Sequence, residues 1–300
     1  MPDITTFDQR SWSALASAAA AMDLVRALER GDVLFFPDLP FAIESHESAV
    51  FSPAILSSAK NASFDPSTGR VRGTTMIRGK GAPGSENVDL AHLAGLMRRF
   101  SDSANLLVNG LFPAYARKIQ RARASFRPAE IAGRSSSWRK DDTRLHVDSF
   151  PASPVQGRRI LRLFTNVNPA GKPRSWRVGA GFEAVASRFA GALTMPWPGS
   201  ALVLRALQVT KSCRSPYDAL MLQLHDRMKE DAEFQEQSPQ TLIDFPAGST
   251  WLAFTDEVPH AAMAGQYQLE QTFLLPVSAM IDERRSPLRI LERLKGRRLL

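Results

Sequence analysis

The sequence has a single cysteine, no long apolar run and no signal-like start. Because Cys213 stands alone, the chain can form neither an internal disulfide nor a zinc site built from cysteine pairs, and a reducing compartment fits. No stretch approaches the roughly 20 apolar residues that span a bilayer. The first residues also lack the basic-then-apolar order of a secretory signal. We therefore expect a cytoplasmic protein rather than a secreted or membrane-spanning one.

Acidic residues are also in deficit. The 300 residues include 38 Lys and Arg against 30 Asp and Glu, which gives a net charge of +8 and a pI near 10.0. A basic surface favours anionic partners such as nucleic acid, phospholipid headgroups or acidic sugars. Neither an RNA-binding signature nor a basic strand rich in aromatic residues accompanies this charge, so no nucleic-acid partner is expected.

The pattern of the first half of the chain indicates helices. Apolar residues recur at helical spacing over residues 12–30, and Gly31 is expected to end this helix. The apolar run at 33–37 predicts a buried strand. A second helix is expected over 88–125, with the basic run near its end on a solvated face. We accordingly predict a mostly helical N-terminal support region over residues 1–135.

The second half has the pattern of short strands separated by turns. Five segments are rich in β-forming residues and bounded by Pro, Gly or Asn: RLHVD, ILRLFTNV, TLIDFP, STWLAF and LEQTFLLPV. Helical insertions are expected around 182–192 and 216–234. This order predicts an α+β fold, mainly β at its core: a double-stranded β-helix (jelly roll) with supporting α-helices. We expect one domain over 1–300, with the jelly-roll core at 136–280.

The spacing His146-Val147-Asp148 predicts a metal site. Residues i and i+2 of a strand point to the same face, so a His and an Asp at this spacing can reach one ion. His260, in a second strand-like stretch, offers a third ligand. Two His and one carboxylate form a facial triad with open positions, which suits non-haem Fe(II) binding a keto-acid and dioxygen together. The alternative is a pair of buried, hydrogen-bonded histidines in a plain jelly roll.

An oxygenase of this type needs a cation for the distal carboxylate of 2-oxoglutarate. The usual place, shortly after the second His, holds Glu270 and Gln271 instead. Arg162 lies in the apolar run ILRLF, where burial of an Arg is costly unless it is paired. We predict that Arg162 binds this carboxylate, with Asn166 and Gln271 as polar neighbours. The alternative is an Arg that points out of the sheet or is ion-paired for structural reasons.

Three segments of the chain resemble the Kdo hydroxylases. They cover residues 137–179, 216–235 and 245–276, and they read SWRKDDTRLHVDSFPASPVQGRRILRLFTNVNPAGKPRSWRVG, PYDALMLQLHDRMKEDAEFQ and FPAGSTWLAFTDEVPHAAMAGQYQLEQTFLLP. Together they account for most of the second half, whereas the first half matches less distinctly. Such long stretches are far more specific than the His-x-Asp spacing.

The resemblance implies an Fe(II)- and 2-oxoglutarate-dependent dioxygenase of lipopolysaccharide inner-core assembly, with dioxygen as the second cosubstrate. Its substrate would be the Kdo sugar (3-deoxy-D-manno-oct-2-ulosonic acid) on lipid A, hydroxylated at C3 to give Ko. The family's metal ligands map onto His146, Asp148 and His260. The carboxylate of Kdo and the phosphates of lipid A suit a basic protein. From their positions we expect substrate contacts from Arg72, Arg78, Arg139, Lys140 and Arg144.

The last segment, residues 281–300, has the pattern of a basic amphipathic helix. Leu288, Leu291 and Leu294 share one face, and arginines and lysines supply the charge. Such a helix can lie on an anionic membrane surface, which would place the protein on the cytoplasmic face of a Gram-negative inner membrane. The alternative is a terminal helix that docks on the domain with its charges solvated.

Three other functions stay open at the level of sequence. One is a non-catalytic, cupin-like protein that binds a sugar, which the missing arginine after His260 favours. Another is a dioxygenase that acts on a different anionic substrate, such as a nucleic acid or a protein. The third is a basic membrane-surface adaptor whose histidines are structural. Turnover of 2-oxoglutarate separates the first from the hydroxylase, and iron content separates the third. Affinity for anionic lipid but not for single-stranded DNA would argue against the second.

Overall fold

The computed structural model describes residues 1–13, 15–57, 60–75 and 88–300. Arg78, one of the expected substrate contacts, lies outside them. The described residues form the strands β1 Ile4–Thr6, β2 Val33–Phe36, β3 Ala62–Asp65, β4 Arg70–Arg72, β5 Gln120–Arg127, β6 Arg159–Asn166, β7 Arg174–Gly179, β8 Gln240–Phe245, β9 Thr250–Phe254, β10 His260–Ala264 and β11 Gln268–Leu275. Their α-helices are α1 Ala18–Glu29, α2 Val88–Leu111, α3 Phe182–Phe189, α4 Ser200–Ala206, α5 Pro216–Glu230, α6 Ala232–Gln237 and α7 Pro287–Lys295.

The strands form two sheets at the centre of an α+β fold. The larger sheet has eight strands in the order β1-β2-β9-β6-β11-β5-β3-β4, and the smaller has three in the order β10-β7-β8. Within the described chain, β1 and β2 pair in parallel, and the other neighbouring strands pair antiparallel. The pairing of β6 with both β9 and β11 places three of the five predicted strand segments of the second half in the middle of the larger sheet, whereas TLIDFP forms β8 of the smaller sheet and RLHVD forms no strand.

Four aromatic side chains join the two sheets. Phe164 and Trp251 come from the larger sheet, and Trp176 and Phe245 from the smaller one. The rings of Phe245 and Trp251 stack with centroids 4.0 Å apart, and Trp176 meets Phe164 edge-on at 4.8 Å. Aromatic contacts of these kinds stabilise a core beyond the area they bury. They also fix the sheets beside His260, whose ring stacks on Trp176 at 5.1 Å.

The prediction of a mostly helical region over residues 1–135 is wrong. This region supplies β1 to β5, and all five strands belong to the same sheet as β6, β9 and β11. The second expected helix, α2, ends at Leu111, and the basic run after it forms β5. The two halves of the chain therefore share one sheet across the boundary expected at residue 135.

Alternation explains why the basic run folds as a strand. Ala124 and Phe126 of β5 are fully buried in the core, whereas Arg121, Arg123 and Arg127 line a cavity on the opposite face of the sheet. This period of two is that of a strand, since successive side chains of a strand point to opposite faces. A helix would have spread the same arginines around its axis.

The helices α1 and α2 pack on the larger sheet. The helix α1 begins after Ser17, whose hydroxyl accepts a hydrogen bond from the Ala20 amide at 3.3 Å. The chain leaves the helix at Gly31, which has a left-handed φ of 88°. The expected stop at Gly31 and the expected strand after it are confirmed. The helix α2 buries Leu96 and Phe100 in the same core as β5 and β11.

The helical insertions of the second half are close to their expected positions. The helix α3 covers the first insertion, and α5 with α6 covers the second. The helix α5 begins with a capping box, in which the Ser215 hydroxyl accepts from the Asp218 amide and the Asp218 carboxylate accepts from the Ser215 amide. The short helix α4 was not expected, because its residues Leu202 and Val203 are exposed instead of forming an inward apolar stripe.

The C-terminal helix α7 docks on the domain. Its apolar residues Leu288, Ile290 and Leu291 are buried in the main core. Arg289 pairs with Glu283 and Glu292 at 2.9 and 2.7 Å. The apolar face and part of the charge that a membrane helix would use are thus already engaged within the protein. Among the described residues, no helix has both the length and the apolar character needed to cross a bilayer.

Candidate metal centre and its cavity

His146, Asp148 and His260 come together where the chain segments before β6 and after β9 meet. The sequence predicted a strand around His146. In the structure His146 lies outside any continuous strand and forms an isolated antiparallel bridge with His260. The amide of each histidine donates to the carbonyl of the other, at 3.0 and 2.9 Å. The Asp148 amide donates to the Thr255 carbonyl at 2.7 Å. One ligand atom from each of the three residues lies within 4.8 Å of the others.

The two histidine rings are oriented by the backbone. Nδ1 of His146 lies 2.8 Å from the Arg144 carbonyl, and Nδ1 of His260 lies 2.8 Å from the Val258 carbonyl. Because a carbonyl only accepts, each Nδ1 carries the proton, and the lone pair of each neutral ring is on Nε2. Metal-binding histidines show the same arrangement, with one nitrogen held by a backbone acceptor and the other on the ion.

The ionisation of the three residues suits a metal ion. Burial, with the charge of the neighbouring histidine, holds the pKa of His146 well below its usual range, and burial also lowers that of His260. Burial opposes ionisation of Asp148, but the charge of Arg162, together with the neighbouring histidines and a hydrogen bond from Thr255, outweighs it and keeps the pKa of the carboxyl low. Oδ2 of Asp148 is buried and accepts no hydrogen bond of good geometry from the described residues, although the Arg162 guanidinium lies 3.2 Å away, so two neutral imidazoles and one ionised carboxylate converge. This donor set fits Fe(II).

Arg162 is held between two carboxylates beside the three residues. Its Nε lies 3.2 Å from Oδ2 of Asp148, and its Nη1 lies 3.1 Å from Oε1 of Glu270. The other oxygen of Glu270 lies 3.0 Å from Nε of Arg127. The charge of Arg162 is therefore already balanced, which favours the structural alternative for this residue over a grip on a cofactor carboxylate.

Two other cations face the cavity without a carboxylate partner in the described chain. Arg174 is 2% exposed; its Nη1 donates to the Gly265 carbonyl at 2.5 Å, and its Nε has no partner. Burial, together with the charge of Arg127, lowers the pKa of Arg174 to about 9. Lys229 is also 2% exposed, and its Nζ donates to the Arg139 carbonyl at 3.2 Å. A buried cation of this kind is costly unless a ligand pairs with it.

The cavity between the sheets, called the central cavity below, has a volume of about 300 Å³. It contains the three candidate ligands, Arg174 and Lys229, and further residues that the sequence did not single out: Arg127, Asp142, Trp176, His225, Gln268 and Glu270. His225 lies on α5, and its ring is 5.3 Å from that of His146. Only folding could identify these residues, because they come from five separate segments.

Asn166 and Gln271 do not face the central cavity, contrary to the sequence prediction. Nδ2 of Asn166 donates to the carbonyls of Lys172 and Phe245 at 2.9 and 3.0 Å, so its amide holds the turn after β6. Gln271 is fully buried on the opposite face of β11, where its Nε2 donates to the Ala122 carbonyl at 3.0 Å. Alternation along β11 explains the error, since Gln268 and Glu270 occupy the face that lines the cavity.

Of the five expected substrate contacts, Arg139 lines the central cavity. Arg72 lies on β4, an edge strand of the larger sheet, and does not line the central cavity. Lys140 is exposed on the surface. Nη1 of Arg144 donates to the Lys229 carbonyl at 2.7 Å, so it fixes the end of α5 rather than facing a ligand. Lys140 and Arg144 were expected because they lie near His146 in sequence, a nearness that the turns around Trp138 and Asp142 do not preserve.

A second cavity, called the side cavity below, opens from the central one. Its volume is about 630 Å³, and the two cavities share Arg127, Phe150, Pro151, Arg162 and Glu270. Its walls are strongly basic: Arg121, Arg123, Arg158 and Lys211 join Arg127 and Arg162 there, against Asp65 and Glu270. Arg121 and Arg123 pair with Asp102 and Asp65, whereas Arg158 and Lys211 have no carboxylate partner among the described residues.

A second group of possible metal ligands lies on the surface. Glu44, His46 and Glu47 also bring ligand atoms together. Glu47 is already bound by Arg99 and by the amide of Glu44 in a capping box. These contacts account for the position of Glu47 without a metal ion, and Glu44 and His46 are exposed.

Comparison with known proteins agrees with the geometry. The family profile described as 3-deoxy-D-manno-oct-2-ulosonic acid (Kdo) hydroxylase matches residues 11–298. A solved structure of the Kdo hydroxylase KdoO, a non-haem Fe(II) α-ketoglutarate-dependent dioxygenase in complex with α-ketoglutarate and Fe(III), is 43% identical, has a TM-score of 0.93, and is matched over 100% of this chain and 98% of that chain.

Further solved structures of the same enzyme give the same result. Its complex with cobalt(II) is 44% identical, with a TM-score of 0.93 and coverage of 100% of this chain and 97% of that chain. Its complex with succinate and Fe(III) is 44% identical, with a TM-score of 0.92 and the same coverage. No curated protein matches the chain in sequence.

Proposed function

The chain belongs to the Kdo hydroxylase family, whose solved members are Fe(II)- and 2-oxoglutarate-dependent dioxygenases, and we propose that its reaction is hydroxylation of C3 of the Kdo sugar carried by lipid A. The observation that carries the proposal is the convergence of ligand atoms from His146, Asp148 and His260 within 4.8 Å of one another, with Nδ1 of each histidine held by a backbone carbonyl. The product would be the Ko sugar of the lipopolysaccharide inner core.

The proposed ligands of iron are the three residues of the sequence prediction. When bound, iron and 2-oxoglutarate supply the oxidising chemistry, with dioxygen as cosubstrate. The protein's part is to hold the donors in place. The backbone acceptors of both Nδ1 atoms fix the rings, and Arg162 holds Asp148 ionised and oriented through the contact at 3.2 Å. Arg162 is thus a positioning residue in this proposal.

For the distal carboxylate of 2-oxoglutarate we propose Arg174 in place of Arg162. Arg174 faces the central cavity without a carboxylate partner, and its guanidinium can grip a carboxylate through two hydrogen bonds. It lies on β7, four residues before Val178, which pairs with His260; that separation is about 13 Å along a strand. An arginine side chain that reaches back, together with a five-carbon diacid, spans such a distance.

For the carboxylate of Kdo we propose Lys229, with Arg139 at the rim. Lys229 is the second buried cation of the central cavity without a carboxylate partner in the described chain, so the two free cations match the distal carboxylate of 2-oxoglutarate and the carboxylate of Kdo. The central cavity is at the lower end of the size range of small-molecule sites. The glycolipid beyond Kdo would extend into the side cavity, where Arg158 and Lys211 suit its phosphates.

We propose that the facing sheets form a double-stranded β-helix and that residues 1–300 are one domain. The interleaving of β9, β6 and β11 in one sheet with β10, β7 and β8 in the other supports a jelly-roll core. The shared eight-stranded sheet supports a single domain rather than a helical layer and a separate core. A glycolipid substrate would place the enzyme at the cytoplasmic face of the inner membrane.

The test is turnover under defined conditions. Anaerobically prepared Fe(II) protein receives 2-oxoglutarate, air and Kdo-bearing lipid A, and the assay follows succinate and a product heavier by one oxygen atom. We expect both signals, with both lost in His146→Ala and both kept in His46→Ala, which changes a surface histidine of the second ligand group. Succinate without the heavier product would reject this substrate, and neither signal in folded, iron-loaded protein would favour the sugar-binding alternative.

A further inference from the structure

Exposed apolar side chains concentrate in one segment of the described chain. Of thirteen large hydrophobic residues that are exposed there, five lie close together in sequence: Trp197, Leu202, Val203, Leu207 and Val209. Trp197 is 85% exposed and Leu207 is 69% exposed. Scattered apolar residues are ordinary on a protein surface, but a contiguous group of them marks an interaction site.

The segment is held outward by a defined framework. Residues 197–211 are called the exposed segment below. Before it, the Thr194 amide donates to Oε1 of Gln223 on α5 at 2.9 Å. At its end, the Lys211 amide donates to the Ala152 carbonyl at 2.9 Å. Between these anchors α4 begins after Gly199, whose φ is 83°. The apolar side chains therefore project from an anchored structure.

The exposed segment and its neighbours in sequence carry only positive charge. Residues 184–217 contain no Asp or Glu, whereas Arg188, Arg205, Lys211 and Arg214 lie among them. Within the described chain, none of Arg205, Lys211 and Arg214 forms an ion pair with a carboxylate. Tryptophan and leucine flanked by unpaired basic residues are the composition that binds at the interface of an anionic bilayer. A second copy of the chain would bring like charges together in a two-fold contact.

The exposed segment adjoins the side cavity. Lys211 and Ala152 line this cavity, and so does Pro151, whose carbonyl accepts from Nη2 of Arg214 at 2.7 Å. A bilayer that contacts the exposed segment would present its headgroups to the rim of the side cavity, which continues to the central one. The position of the segment thus connects a lipid surface to the candidate metal centre.

We propose that the exposed segment docks the protein on an anionic lipid bilayer. Trp197, Leu202 and Leu207 enter the boundary between headgroups and acyl chains, and Arg205 and Lys211 contact anionic headgroups. The role that the sequence suggested for the C-terminal helix belongs to this segment, because the apolar face of α7 is buried. The docking does not depend on the proposed function, which enters only in the identity of the lipid that is modified.

The experiment is flotation of the full chain with vesicles of equal parts phosphatidylglycerol and phosphatidylethanolamine. We expect the double substitution Trp197→Ala and Leu202→Gln to weaken binding by about tenfold or more, since it removes two membrane-inserted apolar groups. Lys211→Gln should weaken binding by about fivefold at low salt, and vesicles of pure phosphatidylcholine should bind little. Leu106→Gln and Leu242→Gln change exposed leucines elsewhere and should leave binding unchanged.

Tryptophan fluorescence gives a second measurement on the unsubstituted protein. Of the five tryptophans, all of which lie in the described residues, Trp197 alone is exposed, and the other four are buried or half-buried. Brominated lipids should therefore quench emission in the wild type, and Trp197→Phe should lose most of the quenching. The proposal is overturned if the wild type does not float with anionic vesicles, if both sets of variants bind alike, or if the variants instead abolish a concentration-dependent dimer.

Turnover separates this inference from the proposed function. The double variant Trp197→Ala and Leu202→Gln should raise KM for Kdo-bearing lipid A embedded in vesicles and leave kcat on detergent-dispersed substrate unchanged, since neither residue lines the side cavity. A wild type that binds vesicles through Trp197 but turns over the glycolipid in neither format would contradict the proposed function alone. Equal KM values for wild type and variants on embedded substrate would contradict the link between the segment and the substrate.

Discussion

At the residue scale, the buried cations of the cavity differ in what balances them. Arg127 and Arg162 share Glu270, and Arg162 also contacts Asp148. The guanidinium of Arg174 donates only to a backbone carbonyl, and its Nε has no hydrogen-bond partner in the described chain. A buried arginine with carboxylate partners is satisfied without a ligand, whereas one without them is poised for an anion. This difference moves the expected cofactor contact from Arg162 to Arg174.

We predict that Arg174→Met weakens 2-oxoglutarate binding by roughly tenfold or more, because it removes a charge-assisted hydrogen-bonding partner. The measurement is calorimetric titration of 2-oxoglutarate into anaerobic, metal-loaded protein. Gln271→Met, on the face of β11 away from the cavity, is the matched control and should bind as the wild type does. Unchanged affinity in folded Arg174→Met protein would rule out the assignment.

A second prediction at the residue scale concerns pH and Glu257. Arg159 is buried between Asp256 and Glu257, with contacts of 2.8 and 2.5 Å. Burial raises the pKa of Glu257 from its ordinary value of 4.5 to about 7, although the charge of Arg159 opposes the shift. Because the folded state binds this proton more tightly than the unfolded state, the associated stability is present below pH 4.5 and is lost as pH rises through 7.

The expected loss is roughly 3 kcal/mol. Urea unfolding between pH 5 and pH 9 should show it as a difference between the wild type and Glu257→Gln, which stays neutral, because the lowered pKa values of His146 and His260 act in the opposite direction in both proteins. Glu183→Gln, at an exposed carboxylate, should leave the dependence unchanged. The same pH dependence in the wild type and in Glu257→Gln would mean that Glu257 stays ionised beside Arg159.

At the scale of elements, alternation decides which residues reach the cavity. On β5 it sends Arg121, Arg123 and Arg127 to one face and Ala124 and Phe126 to the other. On β11 it points Glu270, and not Gln271, toward the central cavity. The period of two was present in the basic run of β5 and could have predicted a strand there. The choice of face on β11 was not predictable, because Leu269, Glu270 and Gln271 are all buried and only the pairing with β5 and β6 fixes the register.

At the same scale we predict that α7 contributes to stability rather than to membrane binding. Leu291→Ala removes a fully buried side chain and should lower the free energy of unfolding by about 2 to 5 kcal/mol. Leu294→Ala, on the same helix but 36% exposed, should cost much less. Chemical unfolding measures both, and flotation with anionic vesicles should not change in either folded variant. Equal small losses of stability would show that α7 is only loosely docked.

At the scale of the whole molecule, metal binding should stabilise the fold, because the three candidate ligands come from segments far apart in sequence. An ion held at about 100 times its dissociation constant adds about 2.7 kcal/mol to the free energy of unfolding, which raises Tm by several degrees. Thermal unfolding with Fe(II) or Co(II) under anaerobic conditions, and again with a chelator, tests this prediction. Asp148→Ala should lose the metal-dependent rise in Tm, and Glu44→Ala should keep it.

The parts predicted best were those with a strong local signal. The strand β2, the end of α1 at Gly31 and the insertion helices follow from periodicity and end signals, which act within a few residues. The helical support region was wrong, because β1, β3 and β4 are short strands stabilised by their neighbours in the sheet. Such strands depend on tertiary partners more than on their own sequence.

The sequence by itself determined the candidate metal ligands, the family and the excess of basic charge, because ligand type, long stretches of resemblance and net charge are all written in the order of residues. The tertiary structure decided which arginine is balanced and which is free, which face of each strand meets the cavity, and where the apolar surface lies. Those properties depend on burial and on contacts between distant segments. Arg162 and Arg174 are both arginines near a strand in the sequence, and only the positions of Asp148 and Glu270 distinguish them.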